Sequence, residues 1–356
     1  MNHLKQIGDR LAERELDALV ITGEPAEFYA VGIKGEGLVL VTRAGNHYFT
    51  DSRYIEAARR TVTGAEVTMT TPARGMFLLA GEQMKAQDLR RVGFEESYVT
   101  VETFRRMKQI FPAGTELVPA GELLSGLRAS KDEEELERLR QAQAITDRVF
   151  QEILNDLRPG VTEREIAARI TYLHLRYGAE RNSFDPIVAS GPNGSMPHAI
   201  PTDKPLAAGE FVTMDFGCVY QGYCSDMTRT VAVGEPNEEM RRVYDAVLRA
   251  QRAGIETARA GVTGRAIHEA AAQVLSQAGY GEYFGHGFGH GVGLEIHETP
   301  NANLSNKQPL PSGAVISAEP GVYLPERFGV RIEDVLYLTE DGHIDLTQSP
   351  KQLMIL

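Results

Sequence analysis

The chain has 356 residues, of which 42% are hydrophobic and 24% are charged, as is ordinary for a soluble globular protein. This length exceeds the usual size of one hydrophobic core, so we expect two domains. The formal net charge of −12, with no long run of Lys and Arg to offset it, argues against nucleic acid or an anionic membrane surface as a partner.

The N-terminal segment and the cysteine content favour the cytoplasm. Residues 1–22 carry a charge every few positions instead of the continuous apolar stretch of a secretory signal, and they begin as an amphipathic helix. No segment approaches the roughly 18 apolar residues that span a bilayer. Cys218 and Cys224 cannot form a disulfide framework, so we expect buried free thiols in a reducing compartment.

Short strands and helices alternate in the first part of the chain. Extended runs lie at residues 17–22, 37–42 and 47–51, and the pair Gly45-Asn46 is placed to form a hairpin turn between the last two. Similar short elements continue as far as Leu127. The pattern predicts a small α/β domain over residues 1–127.

A long amphipathic helix opens the second domain. Residues 130–160 carry an apolar stripe at helical spacing, and Pro159-Gly160 ends the pattern. Ser130 and Glu133 have the spacing of a capping box. The second domain is therefore assigned to residues 128–356.

The rest of the second domain alternates hairpins and helices. A hairpin is predicted over residues 210–234, helices over 236–279, and strands near 314–319 and 328–338. Because hairpins rather than βαβ units carry the strands, we expect an α+β domain with a mostly antiparallel sheet.

Four carboxylates and one histidine in this domain have settings typical of metal ligands. Oxygen-rich sets suit hard or borderline divalent ions. Four carboxylates carry more negative charge than one such ion neutralises, so the set predicts a two-metal hydrolytic centre. The five residues are Asp215, Asp226, His290, Glu319 and Glu333.

The hairpin brings the two aspartates together if Gln221-Gly222 forms its turn. Asp226 then lies opposite Gly217, on the same face as Asp215, at roughly 5–8 Å between the two Cβ atoms. Two metal ions need carboxylates at about that separation. The alternative is a pair of solvated aspartates on an edge hairpin, which the apolar neighbours disfavour because a buried unpaired carboxylate is costly.

Histidines mark two further segments. His286, His290 and His297 lie in a glycine-rich stretch that is too apolar for a free loop, and three histidines so close together indicate a site. His198 lies in a loop too rich in Gly and Pro for a helix or strand, where a lone histidine is more often only a surface residue.

The last two carboxylates lie near strand ends. Glu319 ends an apolar strand that Pro320-Gly321 interrupts. Arg331 and Glu333 share one strand face, so a structural Arg–Glu pair is an open alternative to a metal site.

Together these segments resemble the pita-bread metallopeptidase family, which contains aminopeptidase P, prolidase, methionine aminopeptidase and creatinase. The motifs MDFG, SDMTRT, HGFGHGVGLEIHE, EPGVY and RIED carry the resemblance over residues 128–356. TDSRY at residues 50–54 extends it to a creatinase-like N-terminal domain, whereas FYAVGIKGEG departs from the common pattern.

The resemblance implies a role for each site residue. Asp215 would bind one metal ion, Asp226 and Glu333 would bridge two, and His290 and Glu319 would complete the set. Glu319 would also accept the proton of the nucleophilic water. His198 and His297 would bind the scissile carbonyl, and His286 and Arg331 would support the ligands or position the substrate.

The resemblance also implies an Xaa-Pro peptidase. The extra N-terminal domain argues against methionine aminopeptidase, and all five metal ligands are present, unlike in creatinase. We expect an Xaa-Pro aminopeptidase that acts on peptides with proline at the second position, with an Xaa-Pro dipeptidase (prolidase) as the alternative and a non-catalytic binding module as a remoter one. Mn²⁺ is favoured by ligand hardness, Co²⁺ and Zn²⁺ also fit, and a homodimer is implied.

Overall fold

The computed structural model describes residues 2–356. They form two compact units, one ending at Arg128 and the other spanning Ala129–Leu356. Within the described residues, no helix combines the length and the apolar character that crossing a membrane requires.

The first unit is a six-stranded mixed sheet with helices. The strand order is β4-β3-β2-β1-β5-β6, in which β1–β2 and β2–β3 are antiparallel and the other pairs are parallel. The strands are β1 Ala18–Ile21, β2 Leu38–Thr42, β3 His47–Thr50, β4 Glu66–Met69, β5 Arg91–Phe94 and β6 Glu116–Pro119, and the helices are α1 Leu4–Arg10, α2 Glu24–Val31, α3 Ile55–Thr61, α4 Met76–Ala86, α5 Val101–Ile110 and α6 Gly121–Arg128, with a 3₁₀ turn at Ala12–Arg14.

The predicted turn at Gly45-Asn46 is wrong in its position. The register pairs Leu40 with His47, so the β2–β3 connection is centred on Arg43-Ala44. The Thr42 hydroxyl closes this earlier turn, because it accepts from the backbone N–H of Gly45 at 3.1 Å and donates to its carbonyl oxygen at 2.6 Å. A threonine side chain thus fixes the turn that the Gly-Asn pair was expected to make.

The second unit is α+β, and every pair of its strands described below is antiparallel, as predicted. Its sheets have the orders β11-β10-β7, β12-β9-β8, β14-β13-β15-β18-β19 and β16-β17. The helices are α7 Glu133–Ile153, α8 Glu163–Arg176, α9 Glu238–Thr257 and α10 Gly264–Gln277, with 3₁₀ turns at Gly191–Ser195 and Gly281–Tyr283, and the strands are β7 Arg181–Asn182, β8 Ile187–Ser190, β9 Glu210–Phe216, β10 Cys218–Tyr220, β11 Tyr223–Cys224, β12 Met227–Val233, β13 Gly289–Gly291, β14 Glu298–Ala302, β15 Val315–Ala318, β16 Gly321–Leu324, β17 Phe328–Arg331, β18 Asp334–Leu338 and β19 His343–Asp345.

The long helix α7 begins later than predicted. Its capping box is formed by Asp132 and Glu135, each of which accepts from the other's backbone N–H at 2.9 Å. Ser130 cannot cap the helix because its hydroxyl donates to the carbonyl oxygen of Ser312 at 2.6 Å. The prediction of a capping box at Ser130 and Glu133 is therefore wrong by two residues.

The hairpin of β9 to β12 has the predicted register. Gln221 and Gly222 both adopt positive φ, 46° and 84°, as the two central residues of a type I′ turn do. Cys224 pairs with Val219, and Thr228 pairs with Asp215. The turn therefore sets the alignment of both strands up to the predicted ligands.

The face of β9 that carries Asp215 is opposite the face that packs on the helices. Val212, Met214 and Phe216 are buried in one apolar cluster with residues of α7 and α8. Side chains alternate along a strand, so Thr213 and Asp215 point to the other side. Helix packing thus decides which face of the sheet presents the carboxylate.

Arg229 joins the end of the chain to the strands around the site. Only 1% of its side chain is exposed, and it pairs with the fully buried Asp334 at 2.7 Å. The same guanidinium donates to the carbonyl oxygens of Ser349 at 2.7 Å and Pro350 at 3.0 Å. Lys351 also pairs with Asp334. The segment after β19 is therefore fastened beneath β12 and β18.

We expect Arg229→Met to lower the free energy of unfolding by about 3 kcal/mol or more, because it leaves a buried carboxylate with fewer partners. Urea denaturation followed by circular dichroism measures the change. Arg242→Met is the matched control, since the Arg242–Glu238 pair spans 3.7 Å on the surface and such pairs contribute little. Equal midpoints for the two variants would contradict this role for Arg229.

Candidate metal centre

The structure brings all nine predicted site residues to one cavity of about 800 Å³ in the second unit. They come from six different strands or the loops beside them, so residues far apart in sequence meet here. The nine residues are His198, Asp215, Asp226, His286, His290, His297, Glu319, Arg331 and Glu333.

Glu333 reaches the two aspartates through Thr228. The backbone N–H of Glu333 donates to the carbonyl oxygen of Thr228 at 3.0 Å, and the Thr228 hydroxyl donates to Glu333 Oε2 at 2.6 Å. Thr228 is paired with Asp215 across the hairpin and lies two residues after Asp226. One threonine therefore aligns three of the four carboxylates.

His290 faces two of the carboxylates with a single ring nitrogen. Its Nε2 lies 3.2 Å from Glu319 Oε1 and 3.5 Å from Asp226 Oδ2. Its Nδ1 lies 3.2 Å from the carbonyl oxygen of Gly291, an acceptor that requires Nδ1 to carry a proton. Ser317 supports both residues, because its hydroxyl accepts from the His290 backbone N–H and donates to Glu319.

Negative charge is crowded at the centre. Burial raises the pKa of Asp226 well above its usual value, and the charge of Asp215 raises it further. Burial also raises the pKa of Glu333 well above normal, with the charges of Asp226 and Glu319 acting in the same direction. Burial raises the pKa of Asp215 as well, although Arg331 opposes the shift. These carboxylates repel one another in the absence of a counter-ion.

The pKa shifts of His290 and Glu319 favour the charged form of each group. Burial alone would lower the pKa of His290, but its hydrogen bond to Glu319 and the charges of Glu319 and Asp226 raise it to about 9. Burial alone would raise the pKa of Glu319, but the same hydrogen bond and the charge of His290 lower it to about 2. A proton on His290 thus takes the place that a cation would occupy among these carboxylates.

The side chains present fit divalent metal ions. Asp215 Oδ1, Asp226 Oδ1 and Glu333 Oε1 are buried oxygens without a hydrogen-bond partner, and leaving such groups unsatisfied is costly. Donor atoms of Asp226, His290 and Glu333 all lie within 4.8 Å of one another. Cations bound to these oxygens would remove both the lost hydrogen bonds and the charge repulsion.

Arg331 pairs with Asp215 and not with Glu333, so the alternative of a structural Arg331–Glu333 pair is wrong. The Arg331 guanidinium also donates to the hydroxyls of Thr228 and Tyr323, each at 2.9 Å. It holds Asp215 while leaving Oδ1 of that carboxylate without a partner.

Tyr323 is a site residue that sequence reasoning missed. Its hydroxyl lies 3.1 Å from His286 Nε2, while His286 Nδ1 faces the carbonyl oxygen of Gly287 at 2.8 Å. His286 Nδ1 therefore carries the proton, and Tyr323 donates to Nε2 while it accepts from Arg331. The sequence offers one indication of this role: Tyr323 has the only polar side chain in the apolar strand that follows Glu319.

His297 and His198 complete the rim of the cavity. The rings of His297 and His290 lie 4.3 Å apart and nearly perpendicular. Burial lowers the pKa of His297, and the charge of His290 lowers it further, so His297 is neutral and can donate one N–H. His198 follows the short 3₁₀ turn Gly191–Ser195, which was expected to be plain loop. The cavity is also lined by apolar and amide side chains not predicted from sequence: Phe184, Ile187, Ile200, Ile296, Asn301 and Asn303.

Two family models match this chain. Residues 137–340 match the model of metallopeptidase family M24, and residues 3–130 match the creatinase/prolidase N-terminal domain. The chain belongs to metallopeptidase family M24. The family and the fold class predicted from the sequence are confirmed, and the protein is a metal-dependent peptidase.

Three relatives are similar over nearly their whole length. The solved structure of an Xaa-Pro dipeptidase from Bacillus anthracis is 37% identical, with a TM-score of 0.95 and 99% of each chain covered. That of an X-Pro aminopeptidase from Thermotoga maritima MSB8 is 34% identical, with a TM-score of 0.93 and 100% of each chain covered. An Xaa-Pro dipeptidase from Pyrococcus horikoshii is 33% identical over 99% of this chain and 98% of its own.

Proposed function

We propose that this protein is an Xaa-Pro dipeptidase, which was the alternative in the sequence analysis. Similar proteins named Xaa-Pro dipeptidase support this activity better than they support the aminopeptidase activity that was preferred there. The observation that carries the proposal is the group of buried, unpartnered carboxylate oxygens beside histidines in a cavity with apolar walls.

The proposed ligands are the five residues predicted from sequence. Asp215, Asp226, His290, Glu319 and Glu333 would hold the ions. Two divalent ions held there would supply Lewis-acid polarisation of the substrate and would lower the pKa of water. Mn²⁺ is the proposed ion, with Co²⁺ and Zn²⁺ compatible with the same donors.

In the proposed mechanism the side chains move one proton and stabilise one developing charge. Glu319 accepts the proton of the nucleophilic water and delivers it to the leaving nitrogen. The pKa of Glu319 is lowered by a protonated His290. A histidine that binds a metal ion is neutral, so a metal-bound His290 would no longer lower the pKa of Glu319 in this way. The N–H groups of His297 and His198 stabilise the oxyanion.

The cavity walls suit the tertiary amide of an Xaa-Pro peptide bond. The nitrogen of an Xaa-Pro bond carries no N–H, so the site has no need of an acceptor for it. Phe184, Ile187 and Ile296 provide apolar surface for a ring and a side chain. These contacts would select the substrate, whereas the carboxylates would act on its peptide bond.

The Xaa-Pro aminopeptidase is the second candidate, and one observation favours it. Among the described residues that line the cavity, Arg331 is the only Arg or Lys, and each of its three nitrogens already has a partner. The C-terminal carboxylate of a dipeptide would therefore meet neutral groups such as Asn301 and Asn303. A longer peptide brings no charge to that position.

A peptide panel in the presence of Mn²⁺ tests the proposal. We expect kcat/KM for Xaa-Pro dipeptides to exceed that for Xaa-Pro-Xaa tripeptides by about tenfold or more, the effect of one favourable contact of 1.4 kcal/mol. Xaa-Ala dipeptides are the control for the requirement for proline. Faster cleavage of tripeptides would identify the aminopeptidase, and no cleavage of either by metal-loaded protein would favour the binding module.

The proposal extends to the domain roles, the localisation and the oligomeric state of the enzyme. We infer that residues 128–356 form the catalytic domain and residues 1–127 an accessory one, that the protein acts in the cytoplasm, and that it is a homodimer. Size-exclusion chromatography with light scattering measures the oligomeric state, and a monomer at micromolar concentration would contradict the last inference.

A further inference from the structure

One loop carries His198 to the rim of the cavity. It begins at Ser190, the last residue of β8, and continues to Thr202. Met196 and Ile200 in this loop are 51% and 81% exposed, so its outer part has little packing to hold it. The inner side of the loop is buried at Gly194 and Ala199, and its two ends make the contacts described next.

A single buried carboxylate holds both ends of this loop. Glu163, in the first turn of α8, is completely buried. Its Oε1 accepts from the backbone N–H and the hydroxyl of Ser190 at 2.7 and 2.8 Å. Its Oε2 accepts from the backbone N–H and the hydroxyl of Thr202 at 3.0 and 2.7 Å. The Asn193 amide lies 3.1 Å from both oxygens.

The hydrogen bonds that Glu163 accepts from the two ends of the loop are of a strong kind. Hydrogen bonds to an ionised acceptor are roughly twice as strong as neutral ones. The Ser190 hydroxyl also accepts from the Lys204 ammonium at 3.0 Å, and that ammonium pairs with Glu210 at 2.6 Å. Losing the carboxylate would leave buried donors at both ends without an acceptor.

The tip of the loop is joined to the metal-centre strands at a separate point. Arg331 Nη1 donates to the carbonyl oxygen of Pro197 at 3.2 Å, next to His198. Glu163 fixes both ends and Arg331 holds the tip, so both attachments constrain the position of His198 relative to Asp215. The two attachments share no atoms, so they can be tested one at a time.

We propose that Glu163 is a positioning residue for the hydrolytic reaction, acting through His198 by fastening both ends of the loop 190–202. This inference rests on the proposed function, in which His198 stabilises the oxyanion. Glu163 does not line the cavity. A catalytic group displaced by about 1 Å can lose on the order of 100-fold in rate, so the fastening has a measurable consequence.

Glu163→Gln is the first test, because the amide keeps the volume but offers one acceptor oxygen in place of two. We expect kcat for an Xaa-Pro substrate to fall by about 10- to 100-fold with KM changed less than about threefold. Glu165→Gln is the matched control, since Glu165 lies in the same helical turn and only closes the exposed capping box with Thr162. Equal kcat for both variants would overturn the proposal.

A double-mutant cycle with His198→Ala separates positioning from general stability. If Glu163 acts through His198, Glu163→Gln causes no further loss of kcat once His198 is alanine. Losses that multiply would overturn the proposal, because they indicate independent effects. If Glu163→Gln does not fold, the milder Thr202→Val removes one donor to Oε2 and enters the same cycle.

Amide hydrogen exchange of the metal-free protein gives a readout that does not depend on activity. We expect residues 190–202 to exchange faster in Glu163→Gln than in wild type or Glu165→Gln, with other peptides unchanged. If the wild type does not hydrolyse Xaa-Pro peptides, the proposed function fails, and exchange still decides whether Glu163 orders the loop. Unchanged exchange in this loop would overturn the proposal.

Discussion

Replacing Glu319 by alanine is expected to reduce kcat for an Xaa-Pro substrate by at least about 10³-fold while the protein stays folded. The carboxylate is assigned both to a metal shell and to proton transfer, and proton transfer alone contributes about 10²–10⁴-fold. Stopped-time assays with excess Mn²⁺ measure the rate, and far-ultraviolet circular dichroism measures the fold.

The fold should survive because the Glu319 carboxylate holds little else together. It contacts His290 and the Ser317 hydroxyl at the cavity. Glu340→Ala, an exposed change near the C-terminal end of the same unit, is the control and should keep wild-type kcat. Near-wild-type turnover of Glu319→Ala would remove this residue from the mechanism.

Removal of divalent ions with a chelator is expected to lower activity by more than about 10³-fold, and Mn²⁺ should restore it. Metal ions supply several kcal/mol of transition-state stabilisation, and each 1.36 kcal/mol is tenfold in rate. The measurement is activity at each stage of dialysis, with metal content determined by mass spectrometry. Full activity in verified metal-free protein would contradict a metal mechanism.

Metal binding should also be visible without turnover. An ion that binds only the folded state raises the melting temperature, and here it would also relieve the repulsion among Asp215, Asp226 and Glu333. Asp226→Asn should lower the bound metal per chain and reduce this rise. Asp341→Asn, an exposed change, should leave both quantities as in wild type.

Local rules were enough to predict the hairpin that carries two of the carboxylates. The Gln221-Gly222 turn and strict side-chain alternation fix its register, so the neighbourhood of Asp215 and Asp226 followed from spacing alone. The glycine-rich segment around His290 was found for a similar reason. Its residue types are unusual enough to indicate a site without any knowledge of the fold.

Contacts between distant segments were beyond the reach of the sequence. Ser130 matched a capping pattern, but its hydroxyl bonds to Ser312, 182 residues away. Arg331 was read beside Glu333, whereas its partner Asp215 is 116 residues earlier. Glu163 has no local sequence feature that distinguishes it from other charged residues at helix starts. In each case the deciding partner is set by tertiary structure and not by neighbours in sequence.

The attachment of the last residues to Arg229 has a consequence for synthesis. Backbone hydrogen bonds also join Met354 and Leu356 to Ala232, so the strand that supports Thr228 is paired with residues translated more than a hundred codons later. A nascent chain that already contains every proposed ligand still lacks these partners. The site can reach its final form only after the residues up to Leu356 have emerged from the ribosome, so its assembly is completed later than the synthesis of its last proposed ligand.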